Sequence, residues 1–118
     1  MTRQRNDAHS TEFGIWLRQQ PEIQSHLGYA ATNIDYMWCD YRRNKWMFLE
    51  EKRFNSPLSY SQKQLFERIQ KACLNDPTYC GLHFIQFEKT SPEDGKTFWN
   101  GQEIDRSQII SMLTFGEK

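Results

Sequence analysis

Residues 33–53 read Asn33-Ile34-Asp35-Tyr36-Met37-Trp38-Cys39-Asp40-Tyr41, then Arg42-Arg43-Asn44-Lys45, then Trp46-Met47-Phe48-Leu49-Glu50-Glu51-Lys52-Arg53. Both outer segments are rich in aromatic and large apolar residues, which favour β-strands. The four residues between them are charged or polar and include an asparagine, which is typical of a turn. This stretch therefore predicts an antiparallel β-hairpin.

The turn sets which residues of the two strands face each other. If it is centred on Arg43-Asn44, with two residues or with four, Asp35 lies opposite Lys52 and Met37 lies opposite Glu50. Opposed residues share a face of a sheet, so Asp35, Glu50 and Lys52 converge on one side, with the two acidic residues roughly 7–8 Å apart as diagonal neighbours. A turn longer or shorter by one residue would place them on opposite faces.

Two carboxylates at that distance repel each other by about 2 kcal/mol at an effective dielectric constant of about 20. Lys52 supplies one compensating charge, and a divalent cation with oxygen ligands from Asp35 and Glu50 would supply more. Such a cation polarises a phosphoryl oxygen and acidifies a bound water, while Lys52 orients that water or stabilises developing charge. These residue types predict the hydrolysis of a phosphodiester bond.

Asp35, followed on the next strand by Glu50-Glu51-Lys52, resembles the bipartite D…(D/E)-x-K motif of the PD-(D/E)XK nuclease superfamily. That superfamily includes restriction endonucleases and archaeal Holliday-junction resolvases. The residue before Asp35 is Ile34 instead of the proline that gives the motif its name. The motif is short, so its value depends on the order of the elements around it.

The resemblance implies an α+β (α/β) fold with a restriction-endonuclease-like core. Its order is a helix, an antiparallel hairpin or meander, a second helix and a further strand, with a mixed central sheet flanked by helices. It also implies a DNA endonuclease that depends on Mg²⁺ or Mn²⁺, although RNA is not excluded as the substrate. Asp35, Glu50 and the backbone carbonyl of Glu51 would hold the metal, and Lys52 would assist the attacking water.

Two further residues enter as accessories through the resemblance. An acidic residue on the first helix often joins the metal site, which nominates Glu12, with Glu22 as second choice. A glutamine at the start of the helix after the E-x-K strand recurs near the scissile phosphate, which nominates Gln62. Each has a structural interpretation as well, because Glu12 complements a helix N-terminus and Gln62 completes an S-x-x-Q capping box with Ser59, a role that would compete for the same side chain.

The rest of the chain supplies the expected elements. Ser10 or Thr11 caps a helix, and Pro21 opens a further helical turn that stops at Gly28, so one bent helix or two short ones are expected. The residues from Tyr29 to Thr32 form a short strand or lead straight into the hairpin. Beyond the hairpin we expect a helix from Ser59 to Asn75, a central strand over Tyr79–Glu88, a short strand over Thr97–Gly101 that ends in Asn-Gly, and a last helix capped by Asp105.

Bulk properties narrow the class of protein. Residues 1–9 are polar and charged, which predicts a tail, and the total length of 118 residues predicts one domain over 10–118. The formal net charge is zero, so any contact with DNA would require a local basic patch. The 3 cysteines lack a C-x-x-C spacing and no signal peptide is evident, which favours a cytoplasmic or nucleoid-associated protein that is not secreted. No apolar run is long enough to span a bilayer, so no membrane partner is expected.

A nuclease of this size would act as a homodimer, on DNA structures or ends, or within a larger nucleoprotein assembly. The competing hypothesis is a non-catalytic protein- or nucleic-acid-binding module, such as a small phage-type or accessory interaction protein, in which the hairpin presents aromatic surface to a partner. This module would have the same α+β fold or an unrelated one. The two hypotheses differ in one requirement, since only the nuclease needs the cation.

Overall fold

The structure, a computed structural model, describes residues 11–116. The tail expected over residues 1–9 and the candidate cap Ser10 lie outside the described residues. Contacts within the chain divide it into two compact units, with the boundary between Ala31 and Thr32. The single domain expected over 10–118 stays a prediction.

Over its described residues, 11–31, the first unit contains one short helix, α1 (Glu12–Gln19), and two single turns of 3₁₀ helix, Pro21–Ile23 and Ser25–Leu27. The side chain of Thr11 caps α1, because its hydroxyl oxygen accepts a hydrogen bond from the Gly14 N–H at 3.0 Å. Gly28 ends the last turn with a φ of 100°, a left-handed conformation that glycine adopts without strain. The expected helical segment is thus one α-helix followed by isolated turns.

The second unit is built on a five-stranded mixed sheet with strand order β1-β2-β3-β4-β5. The β2 and β3 strands pair in parallel, and every other neighbouring pair is antiparallel. The elements are β1 (Tyr36–Asp40), β2 (Lys45–Lys52), α2 (Tyr60–Cys73), β3 (Tyr79–Phe87), β4 (Thr97–Trp99), β5 (Gln102–Ile104) and α3 (Arg106–Leu113). Across the described residues the protein is therefore α+β, with three α-helices and one mixed sheet.

The hairpin β1–β2 forms as expected, but its register differs from the predicted one by two residues. Asp40 pairs with Lys45, so the turn is Tyr41-Arg42-Arg43-Asn44. The Asp40 carboxylate starts this turn by accepting the backbone N–H groups of Arg42 at 2.9 Å and Arg43 at 3.3 Å. Because side chains alternate with a period of two, a slip of two residues keeps every side chain on its predicted face.

The connection from β2 to β3 places α2 on the face of the sheet that carries Glu50. The Gln70 side-chain oxygen accepts the Leu82 backbone N–H at 3.1 Å and also the Tyr79 hydroxyl, which ties the second half of α2 to the start of β3. Phe66 is buried, and Tyr79 packs on Trp46 with ring centroids 4.8 Å apart. This packing makes the parallel pairing of β2 and β3 possible, because parallel strands need a crossover.

The main core lies on the opposite face of the sheet, where α3 packs. Its buried residues are Met47, Leu49, Ile85, Phe87, Trp99, Ile104 and Ile109. Asp105 caps α3, as expected, and Ile109 is buried while Ile110 and Leu113 are half-buried. No helix among residues 11–116 is long and apolar enough to cross a membrane.

The structure decides between two alternatives for the start of the hairpin, and it differs from the sequence-based expectation at one short strand. Residues 29–35 contain no strand, so the chain leads straight into the hairpin, which was one of the two expected alternatives. At the other end of the sheet, the sequence predicted a last strand that ends in Asn100-Gly101. Instead β4 ends at Trp99, and Asn100-Gly101 form the turn to an additional strand, β5. Asn100 and Gly101 have φ values of 50° and 89°, the left-handed pair that a two-residue hairpin turn requires.

Candidate active site

Glu50 lies at the centre of the candidate site, near the end of β2 and on the face that α2 covers. Only 3 % of its surface is exposed. A carboxylate is seldom buried to this extent without partners, since the charge loses its hydration. The partners of Glu50 therefore define the site.

Asp35 is the first partner. It immediately precedes β1, and its backbone N–H donates to Glu50 Oε1 at 3.3 Å. In return, the Glu51 backbone N–H donates to Asp35 Oδ2 at 2.9 Å. The pairing of β1 with β2 begins at Tyr36, opposite Leu49, and Asp35 is a bend residue just before it. Two hydrogen bonds between side chain and backbone, and not strand pairing, therefore hold Asp35 beside Glu50.

Lys52 and Gln62 complete the cluster around a single oxygen atom. Lys52 Nζ lies 3.9 Å from Glu50 Oε2, and Gln62 Nε2 donates a hydrogen bond to the same oxygen at 3.1 Å. The lysine distance exceeds that of a hydrogen bond, so the ammonium group attracts the carboxylate without contacting it closely. Of the predicted site residues, the structure thus brings together Asp35, Glu50, Lys52 and Gln62.

The two interpretations of Gln62 turn out to be compatible. Its Oε1 accepts the Ser59 backbone N–H at 3.1 Å, and the Ser59 hydroxyl accepts the Gln62 N–H at 3.1 Å, so the predicted capping box is present. The opposite end of the same amide, Nε2, reaches Glu50. The expectation that the two roles compete was wrong, because an amide offers an acceptor and a donor on different atoms.

The electrostatics of Glu50 are those of a carboxylate that is hard to ionise. Burial raises the pKa of Glu50 above its usual value, and the neighbouring Asp35 carboxylate raises this pKa further. The Asp35 N–H, Lys52 and Gln62 lower the pKa without cancelling the increase. A positive charge at this place would therefore stabilise the ionised form of Glu50.

The chemistry of these groups fits a small divalent cation. Among residues 11–116 no three His, Cys, Asp or Glu side chains gather in a group that could hold a metal. The candidate ligands are therefore two carboxylates, from Asp35 and Glu50, and the Glu51 backbone carbonyl. All are hard oxygen donors, and Mg²⁺ is commonly held by one or two carboxylates while it keeps several waters.

The remaining predicted residues have other surroundings. Glu12 lies in the first turn of α1, in the first unit, and Glu22 lies in the 3₁₀ turn that follows; the accessory role nominated for them stays a prediction. The Glu51 side chain is on the face opposite Glu50, as predicted, where its Oε1 accepts the Tyr36 hydroxyl at 2.8 Å. This hydrogen bond and the charge of Glu51 raise the pKa of Tyr36. The tyrosine was not nominated from the sequence, although the predicted register places it directly opposite Glu51.

A separate cavity of about 250 Å³ lies on the face of the sheet that α3 covers. Its lining includes Met47, His83, Trp99 and Phe115. The ring nitrogens of His83 are both engaged, one with the Cys80 carbonyl at 2.8 Å and the other with the Asn100 side-chain nitrogen at 3.1 Å. This cavity contains no acidic residue in its lining and is distinct from the carboxylate cluster.

Comparisons with protein-family models, with curated proteins and with solved structures found no match to this chain.

Proposed function

We propose that the protein is a metal-dependent DNA endonuclease of the PD-(D/E)XK type, which hydrolyses phosphodiester bonds with Asp35, Glu50 and Lys52. One observation carries the proposal. The almost completely buried Glu50 receives contacts from Asp35, Lys52 and Gln62, the three residues nominated around it from the sequence. The hairpin register nominated Asp35, Glu50 and Lys52, and the family resemblance nominated Gln62. In the structure these residues come from three separate chain segments.

The negative charge of Glu50 is only partly compensated by its neighbours, which supports a functional role for this residue over a purely structural one. Its cationic neighbour stays 3.9 Å away, and its acidic neighbour raises its pKa. An ion pair that served only stability would be expected to hold both charges in close contact, since a buried charge is costly when it is poorly paired. Groups with perturbed pKa values of this origin concentrate at active sites.

The order of elements gives further support. The Glu-x-Lys sequence ends β2, α2 follows, and β3 then pairs with β2 in parallel. This is the helix–strand order that the resemblance requires after the motif. One departure is that the hairpin lacks the third strand of the meander, since residues 29–35 contain no strand. We therefore infer a restriction-endonuclease-like core within this α+β fold.

In the proposed mechanism, residues of the chain bind the metal, orient the attacking water and neutralise the charge on the phosphate. Asp35, Glu50 and the Glu51 carbonyl would hold Mg²⁺ or Mn²⁺, which polarises the phosphate and lowers the pKa of water when bound. Lys52 orients the attacking water and offsets the negative charge that grows on the phosphate oxygens as the new P–O bond forms and the leaving P–O bond breaks. Gln62 holds the Glu50 carboxylate through Oε2, so that the other oxygen, Oε1, keeps a fixed orientation.

A second candidate function is a non-catalytic binding module, and one observation favours it. The edge strand β1 exposes Tyr36, Met37 and Trp38, although Trp38 also donates its indole N–H to the Leu113 carbonyl at 2.7 Å. A strand edge with large apolar side chains is a common docking place for another strand. A second copy of the chain at this edge would give the proposed homodimer, and a different protein would give the binding module.

The experiment that separates the two functions is a cleavage assay on supercoiled plasmid, linear duplex, single strands and a four-way junction, with Mg²⁺ or Mn²⁺. Native protein is compared with Asp35→Asn and Lys52→Met, and with the matched exposed controls Glu67→Gln and Lys71→Met on α2. We expect both site variants to lose at least a hundredfold in rate, as for the removal of one charge-stabilising group, and the controls to stay within twofold. Cleavage that survives both site substitutions, or none with any substrate, would refute the nuclease and leave the binding module.

A further inference from the structure

The curled end of α3 forms one wall of the cavity on the α3 face of the sheet. This segment contributes Ser111, Met112, Phe115 and Gly116 to the lining. Phe115 and Gly116 have φ values of 56° and 85°, and the Gly116 N–H donates to the Ser111 carbonyl at 2.8 Å. A positive φ is unusual for a bulky residue, so the backbone at Phe115 is strained and is kept in place by the contacts around it.

Two side chains of the hairpin hold this wall. The Trp38 indole N–H donates to the Leu113 carbonyl at 2.7 Å, and Arg43 Nη2 donates to the Thr114 carbonyl at 2.9 Å. Both carbonyls lie at the end of α3, where a helix leaves its last carbonyls without N–H partners of its own. The bonds fix the end of α3 relative to the hairpin, so the cavity of about 250 Å³ is preformed. A preformed site binds a ligand without the cost of ordering its walls.

His83 contributes a ring to the lining but no charge. The Phe84 backbone N–H donates to Asn100 Oδ1 at 2.9 Å, which directs the Asn100 amide N–H group to His83 Nδ1 at 3.1 Å. Nδ1 is therefore an acceptor, and the ring proton lies on Nε2, which donates to the Cys80 carbonyl at 2.8 Å. Both nitrogens of the neutral imidazole are used, and the ring lies 5.2 Å from the Trp99 ring, centroid to centroid.

Among the described residues that line the cavity, only Lys45 is charged. Lys45 is half-buried, and it makes no ion pair within residues 11–116. Asp40 is directly opposite Lys45 in the hairpin register, but the Asp40 carboxylate is paired with the Arg43 guanidinium at 2.6 Å. The lining therefore has one positive charge without an acidic partner, and an anion in the cavity would compensate it.

Most of the remaining lining is apolar and includes aromatic rings. Met47 and Trp99 belong to the sheet, and Met112 and Phe115 belong to the end of α3. Thioether sulfurs and aromatic rings both make favourable contacts with a further aromatic ring. An engineered apolar cavity of about 150 Å³ binds benzene. The present cavity of about 250 Å³ has room for one such ring and a short chain.

We infer that this cavity is a binding site for a small monocarboxylate that carries one aromatic ring. The carboxylate pairs with the Lys45 ammonium group, and the ring packs among Met47, Trp99 and Phe115. The site lies on the face of the sheet opposite the one that carries Glu50. The inference is therefore independent of the proposed nuclease function and adds a second site to it.

The test is an NMR titration of ¹⁵N-labelled native protein at pH 8 in EDTA. The probes are 3-phenylpropanoate and its uncharged match, 3-phenylpropanamide, at constant ionic strength. The carboxylate should bind with a dissociation constant of roughly 1 mM, as expected for a ligand of this size. The uncharged probe should bind about tenfold more weakly, because it lacks the charge-assisted contact with Lys45. The backbone N–H signals that shift should include Met47, Ser111 and Phe115, whereas the signal of Gln62 on the other face should not move.

Lys45→Met separates the charge from the apolar part of the site. Methionine keeps an unbranched side chain without the ammonium group, so this variant should bind the two probes equally while it melts near the native temperature. Lys71→Met is the matched control, because Lys71 is exposed on α2, on the other face of the sheet, and this variant should keep the tenfold preference.

Three results would overturn the inference. They are no binding or equal binding of the two probes by native protein, a preference for the carboxylate that survives Lys45→Met or is lost equally in Lys71→Met, and signal changes that lie away from the cavity lining. Nuclease activity does not enter this test, so a protein that cleaves no substrate would still bind the carboxylate at Lys45.

Discussion

Gln62 donates its side-chain N–H to Glu50 Oε2 at 3.1 Å, and the oxygen of the same amide accepts the Ser59 backbone N–H. One side chain thus joins the start of α2 to the buried carboxylate of β2. The rotamer required by the helix cap is also the one required by the site.

This relationship predicts a difference between two similar capping boxes. In α3, Gln108 accepts the Asp105 N–H at 2.9 Å and is exposed, so Gln108→Ala should lower the free energy of unfolding by about 1 kcal/mol. Gln62→Ala also removes a hydrogen bond to a buried carboxylate, and we expect it to cost about 2 kcal/mol more. Urea denaturation of the two variants measures the difference, and equal losses would show that the contact with Glu50 contributes nothing to stability.

The raised pKa of Glu50 predicts the direction of a pH effect on stability. A carboxyl group whose pKa is higher in the folded state stabilises the fold fully below its unfolded pKa, and this contribution is lost as the pH rises through the folded pKa. Glu50→Gln removes the ionisation, so at pH 8 without metal the variant should be more stable than native protein by roughly 1 kcal/mol. Denaturation curves between pH 4 and 8 should show the gap closing towards acid pH. Glu67→Gln, an exposed control, should show no such closing gap.

Two substitutions should move the pKa of Glu50 in opposite directions. The Asp35 charge raises this pKa and the Lys52 charge lowers it, so Asp35→Asn should decrease it and Lys52→Met should increase it. The asparagine keeps an oxygen that can accept the Glu51 N–H, which preserves the local structure. NMR titration of protein with ¹³C-labelled glutamate side chains reads the midpoint directly. Shifts of the same sign in both variants would contradict the electrostatic account of the site.

Metal binding should stabilise the protein more strongly at alkaline than at acid pH. A metal ligand must be deprotonated, and the pKa of Glu50 is raised, so protons compete with the cation for this carboxylate. At a Mg²⁺ concentration ten times the dissociation constant, the expected stabilisation is about 1.4 kcal/mol. Melting temperatures with and without Mg²⁺ at pH 5.5 and 8, for native protein and for Asp35→Asn, measure it. An identical Mg²⁺ effect in the variant would place the cation elsewhere.

Much of the second unit could be predicted from local sequence signals. The turn residues and aromatic segments indicated the hairpin, Ser59 and Gln62 indicated the start of α2, and the apolar run from Tyr79 indicated β3. The common face of Asp35, Glu50 and Lys52 was predicted correctly in spite of the wrong register. The error amounted to two residues, the one small slip that leaves side-chain directions unchanged.

Other features depended on contacts that no local pattern contains. The Asp40 carboxylate shifted the turn by capping it, and this is visible only once the backbone of Arg42 and Arg43 is placed. The three-residue strand β5 is too short for a period to be recognised in it. The simultaneous bonds of Gln62 required the position of α2 on the sheet.

The position of β2 in the sheet also has a consequence for the order of folding. Its antiparallel partner β1 is four residues away in the chain, whereas its parallel partner β3 is reached only through residues 53–78. A hairpin closes within microseconds, but joining distant strands carries a larger loop-closure cost and comes later. We therefore expect Glu50 to stay hydrated in the early hairpin and to lose its water when α2 and β3 dock on it. The charge of this one carboxylate should then slow the last step of folding, and its protonation in mild acid should make that step faster.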